Sequence, residues 1–104
     1  PIHDPVGAWV TADATSVHLV NRQMVAWQRC YLELDSAQFK DSYSYYTAVV
    51  RVGDSVNIPI LDFTSASHQN PTAESARAED LTVSCQYVAG KDGWNVYKPL
   101  NIAL

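Results

Sequence analysis

The chain of 104 residues has few basic residues and no long apolar run. Its seven lysines and arginines are scattered singly, which leaves a net charge of −4 and no basic patch that could follow a nucleic-acid backbone. No apolar run exceeds four residues, whereas a membrane-spanning helix needs about 20. The sequence therefore predicts neither a nucleic-acid partner nor a transmembrane segment.

Short segments that alternate apolar and polar residues are the main signal of secondary structure. Such alternation is typical of strands that have one buried face. It is clearest in "WQRCYLELD" (27–35) and "LTVSCQYV" (81–88). Weaker strand patterns cover 6–11, 17–21, 43–52, 55–63 with a break at Pro59, and 94–97.

Turn residues separate these segments and suggest how the chain folds back. "GD" at 53–54 predicts a tight turn, and "AGKDGW" at 89–94 predicts a hairpin. "NPTAESARAED" contains the one helical signal, a short turn near 71–78. We therefore predict a single all-β domain over 1–104: an immunoglobulin-like antiparallel sandwich of two sheets with seven to eight strands.

The chain has two cysteines, Cys30 and Cys85, both on the inward phase of their predicted strands. If these strands face each other across the sandwich, the cysteines are placed to form a disulfide. The alternative is two reduced cysteines that serve as small core residues. A disulfide would indicate an extracytoplasmic protein, whether periplasmic, secreted or on the cell surface. "PIHDPVGAW" has no signal features, so either there was no signal sequence or it has been removed. The predicted disulfide favours removal.

The stretch "RAEDLTVSCQY" (77–87) resembles the third framework region of antibody variable domains. In those domains the core tryptophan follows the first cysteine, and a tyrosine stands two positions before the second. Here Trp27 precedes Cys30, and Val83 occupies the tyrosine position. The antibody resemblance is therefore local. We interpret Arg77 to Asp80 as the end of a crossing turn that leads into a core strand.

Nine residues that span about two-thirds of the chain match a known pattern: Asn21, Trp27, Gly53, Asp54, Ile58, Pro59, Phe63, Pro71 and Cys85. With these residues the chain resembles bacterial cell-envelope domains of the FxLYD type. The resemblance implies an extracytoplasmic immunoglobulin-like sandwich of uncharacterised function, and no functional residue carries over. The loop after Phe63, "SASHQNP", departs from the pattern of that group.

The sequence offers little that indicates catalysis or metal binding. His3, His18 and His68 form no pair with metal-ligand spacing, and no serine stands in a nucleophile elbow. Three acidic residues at predicted strand ends suit either calcium binding or, more simply, turn formation. We therefore predict no catalytic residue, no metal and no cofactor. These acidic residues are Asp41, Asp54 and Asp62.

Tyrosines and tryptophans form the most informative surface signal. In "YSYY" (43–46), Tyr43 and Tyr45 share one strand face, so Tyr46 points to the other. Tyrosine is enriched in binding sites, although it is also a favoured strand residue. The candidate binding face comprises Tyr43, Tyr45, Tyr46, Trp94 and Tyr97.

Three classes of function remain open. The first is a non-enzymatic module that contacts another protein, for instance as an accessory subunit of a membrane-anchored or cell-envelope assembly. The second is a small carbohydrate-binding module that uses exposed aromatic residues. A small secreted enzyme is the third and the least supported by the residues.

Overall fold

The computed structural model describes residues 5–37, 39, 41–69, 71, 77–90 and 92–103. These residues form seven strands and one 3-10 turn, Ile60–Asp62. Within these ranges no helix is long and apolar enough to span a membrane. The strands are β1 (Ala8–Ala12), β2 (Ser16–Asn21), β3 (Trp27–Asp35), β4 (Tyr43–Val50), β5 (Ser55–Pro59), β6 (Arg77–Tyr87) and β7 (Gly93–Ala103).

The seven strands make two antiparallel sheets. The three-stranded sheet has the order β1-β2-β5, and the four-stranded sheet has the order β4-β3-β6-β7. The chain changes sheets after β2, after β4 and between β5 and β6, so β2 pairs with β5 and β3 pairs with β6. The predicted all-β, two-sheet sandwich is confirmed.

One buried apolar cluster holds the fold together. The predicted inward faces of β3 and β6 are confirmed, since Leu32, Leu34, Leu81 and Val83 are fully buried. Each such side chain contributes about 1.5–3 kcal/mol by leaving water. The largest buried residues of the cluster are Trp27, Tyr43 and Phe63.

A β-bulge at Arg29 interrupts the alternation of β3. Gln28 pairs with Gln86 and Tyr31 with Ser84, so two residues of β3 lie opposite one residue of β6. Arg29 adopts a positive φ of 51°, a conformation that L-residues seldom adopt. The extra residue changes the phase of the strand, so that Trp27 and Cys30 are both buried although they are three positions apart.

The predicted disulfide between Cys30 and Cys85 is confirmed. Its placement differs from the prediction, because the two cysteines lie on neighbouring strands of one sheet rather than on strands that face each other across the core. Their Cα atoms are 4.1 Å apart, close to the spacing of a directly opposed antiparallel pair. The bulge brings Cys30 opposite Cys85 on the buried side.

Asn21 connects the two sheets through its buried amide. Its Nδ2 donates hydrogen bonds to the carbonyls of Val25 and Val50, each at 3.1 Å. Its Oδ1 accepts the N–H of Gln23 at 2.9 Å. The amide therefore joins the end of β2 to the end of β4, and its three bonds satisfy a fully buried polar group.

The predicted helical turn near 71–78 is wrong at its carboxyl end. Arg77 and Ala78 begin β6, where they pair with Ala103 and Ile102 of β7. Pairing with β7 and complete burial of Ala78 override the helix preference of this Ala- and Glu-rich segment. The interpretation of Arg77 to Asp80 as a crossing turn is wrong for the same reason. Residues 72–76 lie outside the described residues.

Pro59 ends a strand as predicted, whereas Pro99 lies within a strand that is longer than predicted. β5 ends at Pro59, where the break was predicted, and the chain continues as the 3-10 turn. β7 continues through Pro99 to Ala103, whereas the predicted strand covers only 94–97. A proline is tolerated there because β7 is an edge strand, whose outer side needs no hydrogen-bond donor.

We predict that replacing both cysteines with alanine lowers the free energy of unfolding by about 4 kcal/mol, because the disulfide closes a long loop in the unfolded chain. The loop spans a separation of 55 residues. Urea denaturation of the oxidised protein and of Cys30→Ala/Cys85→Ala measures the difference. Wild-type protein in dithiothreitol is the matched control and should resemble the variant. A difference below about 1 kcal/mol would contradict a loop-closing role.

Candidate functional site

The five aromatic residues of the candidate binding face do not share one face of the sheet. Tyr46 and Tyr97 point to solvent, whereas Tyr43 and Trp94 are buried in the core and Tyr45 packs against it. Alternation along β4 separates Tyr46 from its two neighbours, as predicted. A role in binding therefore stays a prediction for the two exposed tyrosines.

The three inward residues have packing partners in the core. Tyr43 meets Phe39 edge to face, with ring centroids 5.1 Å apart. Tyr45 lies 5.9 Å from Phe63. Such aromatic pairs stabilise a core beyond their buried area. These three residues, Tyr43, Tyr45 and Trp94, support the sheet from its inner side.

Trp94 makes the central aromatic contact of the core. Its ring packs edge to face on Trp27, with centroids 4.8 Å apart. Trp94 lies directly opposite Cys85 in the pairing of β6 with β7. The disulfide and the two tryptophans thus belong to one part of the core, directly beneath the outer surface of the four-stranded sheet.

We define the outer face as the solvent side of the four-stranded sheet. Three tyrosines lie on it: Tyr31, Tyr46 and Tyr97 are 41%, 57% and 51% exposed. Tyr31 and Tyr46 are direct cross-strand partners in β3 and β4. Tyr31 was not among the five candidate residues, although its alternation with buried Cys30 and Leu32 already placed it outward. This face also carries Arg29, Glu33, Asp35, Ala48, Asp80, Ser84, Gln86 and Asn95.

A groove of about 520 Å³ runs across this face. Aromatic, amide, hydroxyl and guanidinium groups meet there, so the groove offers flat contact area together with donors and acceptors. The hydroxyl of Ser84 donates a hydrogen bond to Oδ1 of Asn95, which fixes one side. The lining residues are Arg29, Tyr31, Tyr46, Ser84, Cys85, Gln86, Gly93, Trp94 and Asn95.

Gly93 allows β6 and β7 to approach closely at the edge of the groove. A Cβ at this position would overlap the carbonyl oxygen of Cys85. Gly93 pairs with Gln86 in the register of β6 and β7. The glycine is therefore needed for this local pairing, and it also leaves the groove without a side chain at that point.

Arg29 brings a cation into the groove because of the bulge. Regular alternation after Trp27 would turn residue 29 inward, whereas the bulge leaves its guanidinium exposed. Within the described residues Arg29 has no ion-pair partner, since the one pair found there joins His18 to Asp13. The outer face therefore presents an uncompensated positive charge beside Tyr31 and Tyr46.

Acidic residues occupy the opposite end of the same face. Asp35 and Asp80 are direct cross-strand partners. Burial raises the pKa of Asp80, and the charge of Asp35 raises it further. The Tyr97 hydroxyl donates to Oδ2 of Asp80 at 3.5 Å, and the charge of Asp80 in turn raises the pKa of Tyr97. The outer face is thus electrically polarised, with Arg29 at one end and carboxylates at the other.

A second polar group near β2 has the geometry of a turn and not of a catalytic triad. Asp13 accepts the N–H groups of Thr15 and Ser16, and hydrogen bonds from Thr15 hold the pKa of Asp13 well below its usual range. His18 Nε2 lies 3.2 Å from both Ser16 Oγ and Asp13 Oδ2. A triad places the serine and the carboxylate on different ring nitrogens, so this arrangement does not activate Ser16.

Metal binding gains no support from the described part of the chain. No group of three or more His, Cys, Asp and Glu side chains there could hold an ion. Asp54, one of the acidic residues weighed for calcium, accepts the N–H of Arg51 within the turn between β4 and β5. Asp54 therefore stabilises a turn, which is the simpler of the two roles considered for these acidic residues, the other being calcium binding.

Comparison of the chain with protein-family models, with curated proteins and with solved structures gives no match. The resemblance to FxLYD-type envelope domains therefore stays a prediction from the sequence.

We predict that Asp80→Asn stabilises the protein at neutral pH. Because the folded-state pKa of Asp80 is raised, the folded state loses stability as pH rises from the unfolded value of about 3.9 through the folded one. The substitution should then raise the free energy of unfolding at pH 7 by about 0.5 kcal/mol, the scale of exposed charge interactions.

Urea denaturation at pH 7 and at pH 3 measures this effect, and the gain should vanish at pH 3, where the carboxyl is protonated in both states. Asp62→Asn removes the same formal charge from the 3-10 turn and serves as the control. A loss of stability at pH 7 in Asp80→Asn would show that the carboxylate is favourable in the folded protein.

Proposed function

We propose that this chain is a non-enzymatic binding module of an extracytoplasmic protein and that it acts through protein–protein contacts made by the outer face. The observation that carries the proposal is the gathering of Tyr31, Tyr46 and Tyr97 on one exposed sheet surface. The solvent face of an antiparallel sheet is ordinarily polar. Three half-exposed tyrosines there suit a surface that becomes covered.

The chemistry of the outer face matches that of contact surfaces between proteins. Tyrosine supplies a large contact area with little conformational entropy to lose, and arginine is likewise enriched at interface hot spots. Two neighbours restrict the side chain of Tyr31. Its hydroxyl donates to Oε2 of Glu33 at 3.0 Å, and Tyr46 is its direct cross-strand partner. A surface ordered in this way needs little rearrangement on binding.

The exposed tryptophan on the other sheet has a different environment. Trp9 of β1 is 54% exposed, and the guanidinium of Arg22 lies 5.2 Å from its ring centroid. This cation–π contact gives the exposed ring a partner within the chain. The outer face is therefore the better candidate for partner contact, and Trp9 offers a matched aromatic control.

The disulfide supports the proposed compartment. Cytosolic thiols are kept reduced, whereas disulfides persist in the periplasm, outside the cell and on its surface. The Cys30–Cys85 bridge favours one of these locations. Together with the resemblance to envelope domains, it supports a role as an accessory subunit of a cell-envelope or membrane-anchored assembly.

Carbohydrate binding is the second candidate, and the pairing of Tyr31 with Tyr46 favours it. Sugar rings stack on aromatic side chains, and their hydroxyls need donors and acceptors nearby. The groove supplies such groups from Ser84, Gln86 and Asn95. The same face would then bind a glycan in place of a protein.

A photo-crosslinking experiment tests the proposal. We place a benzophenone amino acid at position 46 or 97 on the outer face, or at position 9 on the other sheet, and expose each protein to envelope extract from the source cells. We expect the same crosslinked protein from positions 46 and 97, and none of it from position 9. Crosslinking from position 9 alone would contradict the assignment.

Glycan-array binding separates the two candidates. Wild-type protein, Tyr31→Ala/Tyr46→Ala and the control Trp9→Ala are compared on the same array. The proposal of a protein partner predicts no glycan signal from any of them. Binding by wild type and Trp9→Ala but not by the double variant would establish the carbohydrate candidate instead.

A further inference from the structure

The edge of the four-stranded sheet at β4 is open over half its length. Ser44 exchanges backbone hydrogen bonds with Thr64, at 2.8 and 3.0 Å, on the side of β4 away from β3. Backbone groups alternate in direction along an antiparallel strand, so Tyr46 and Ala48 direct their N–H and C=O groups to that same side. Among the described residues these groups have no backbone partner on that side.

The residues of β4 do not protect this edge from pairing. Natural edge strands are usually blocked by proline, by charge or by a covering segment. β4 reads "YSYYTAVV", which contains neither proline nor a charged residue. The other long edge strand, β7, carries Lys98 and Pro99. Among the described residues, the bridge to Thr64 covers the amino-terminal part of β4 and a hydrogen bond from Asn21 occupies the carbonyl of its last residue, Val50.

Two cations without ion-pair partners lie beside the open part of the edge. Arg29 is next to Ala48, between the register pairs Gln28–Val49 and Cys30–Thr47. Arg51 follows directly after β4 and is exposed. Neither guanidinium forms an ion pair within the described ranges. A strand added at this edge would therefore meet positive charge near Ala48.

We propose that β4 accepts an extended peptide segment of the partner protein as a fifth strand of the sheet, with a carboxylate side chain opposite Ala48. This inference rests on the proposed function and names the chemistry of the partner. Cross-strand residues share a face, so the residue opposite Ala48 projects over the outer face. It is two strand spacings, about 10 Å, from Arg29. An extended arginine and a glutamate together span this distance, because the Ala48 methyl group leaves the path open.

A second copy of this chain is a poorer occupant of the edge. An antiparallel pairing of two β4 strands around Ala48 brings no carboxylate to this position, because β4 has no acidic residue, and it leaves the Arg29 side chains of both copies on the same face. The open stretch also runs only from Tyr46 to Val49, since the Val50 carbonyl accepts a hydrogen bond from Asn21. A pairing of this length alone falls below the area of about 1,000 Å² that a stable dimer buries. A foreign strand can supply the carboxylate, and the rest of its protein can bury further area on the outer face.

Selection from a phage-displayed library of random short peptides tests the proposal on the intact, oxidised protein. We expect enriched peptides to alternate β-branched residues around one Asp or Glu. Enrichment should fall about tenfold on Ala48→Glu, because like charges directly opposite each other on neighbouring strands repel. Thr11→Glu adds the same charge to the exposed edge strand of the other sheet and should leave enrichment unchanged.

Amide NMR locates the bound peptide. A synthetic peptide from the enriched set should shift the amide signals of Tyr46 and Ala48 most, and its amide-methylated form should shift neither. Enrichment of basic peptides, equal enrichment on Ala48→Glu, or no enrichment at all would overturn the proposal. Dimerisation of the free protein in sedimentation that Ala48→Glu abolishes would also overturn it, because the edge would then hold a second copy.

The proposed function can stand if strand addition fails. If the crosslinked partner from positions 46 and 97 is still captured with Ala48→Glu, the outer face binds it without using the β4 edge. If peptides bind at β4 but no partner crosslinks at position 97, the edge is the binding site and the outer face is not.

Discussion

The bulge in β3 is the feature on which both the core and the candidate site depend. Trp27 and Cys30 are three positions apart, so a regular strand would bury one and expose the other. The extra residue buries both, which allows the contact of Trp27 with Trp94 and the bond of Cys30 with Cys85. The same change of phase leaves Arg29 in solvent. Its positive φ is an unfavourable conformation that the surrounding disulfide and tryptophan packing outweigh.

The four-stranded sheet has aromatic residues on both sides, and their roles differ by side. Tyr43, Tyr45 and Trp94 fill the space between the sheets. Tyr31, Tyr46 and Tyr97 remain exposed on the outer face, beside one uncompensated cation and a cluster of carboxylates. The outer face and the open edge of β4 share Tyr46 and Ala48, so a partner could use both at once. This continuity is a further reason, beside the three exposed tyrosines, to propose binding on this sheet and not on the one that carries Trp9.

Much of the fold could be predicted because local alternation and burial agree. The inward faces of β3 and β6, the break at Pro59 and the split of "YSYY" between two faces all follow from a period of two. The pairing of Arg77 and Ala78 with β7 could not be predicted, because the Ala and Glu residues before them favour a helix in the sequence, whereas the pairing is decided by tertiary contacts. The disulfide was predicted, but its position within one sheet depends on the bulge, which a single sequence does not reveal.

The candidate site was predictable only in part. Alternation fixed which face each tyrosine occupies, but it could not show that Tyr31 and Tyr46 are cross-strand partners, since that depends on register. Trp94 is predicted on the candidate binding face, whereas its ring is buried and packs on Trp27 in the core. The open edge of β4 depends on the strand order and on the bridge between Ser44 and Thr64. Neither feature can be predicted from the local sequence.

The most direct test of this account is residue-resolved hydrogen exchange of the free protein, read by amide NMR. The account predicts slow exchange at Tyr45 and Thr47, whose amides face β3, and at Ser44, whose amide is bonded to Thr64. It predicts fast exchange at Tyr46 and Ala48, whose amides face the open edge. Equal protection along the whole of β4 would show that the edge is already occupied and would contradict the account.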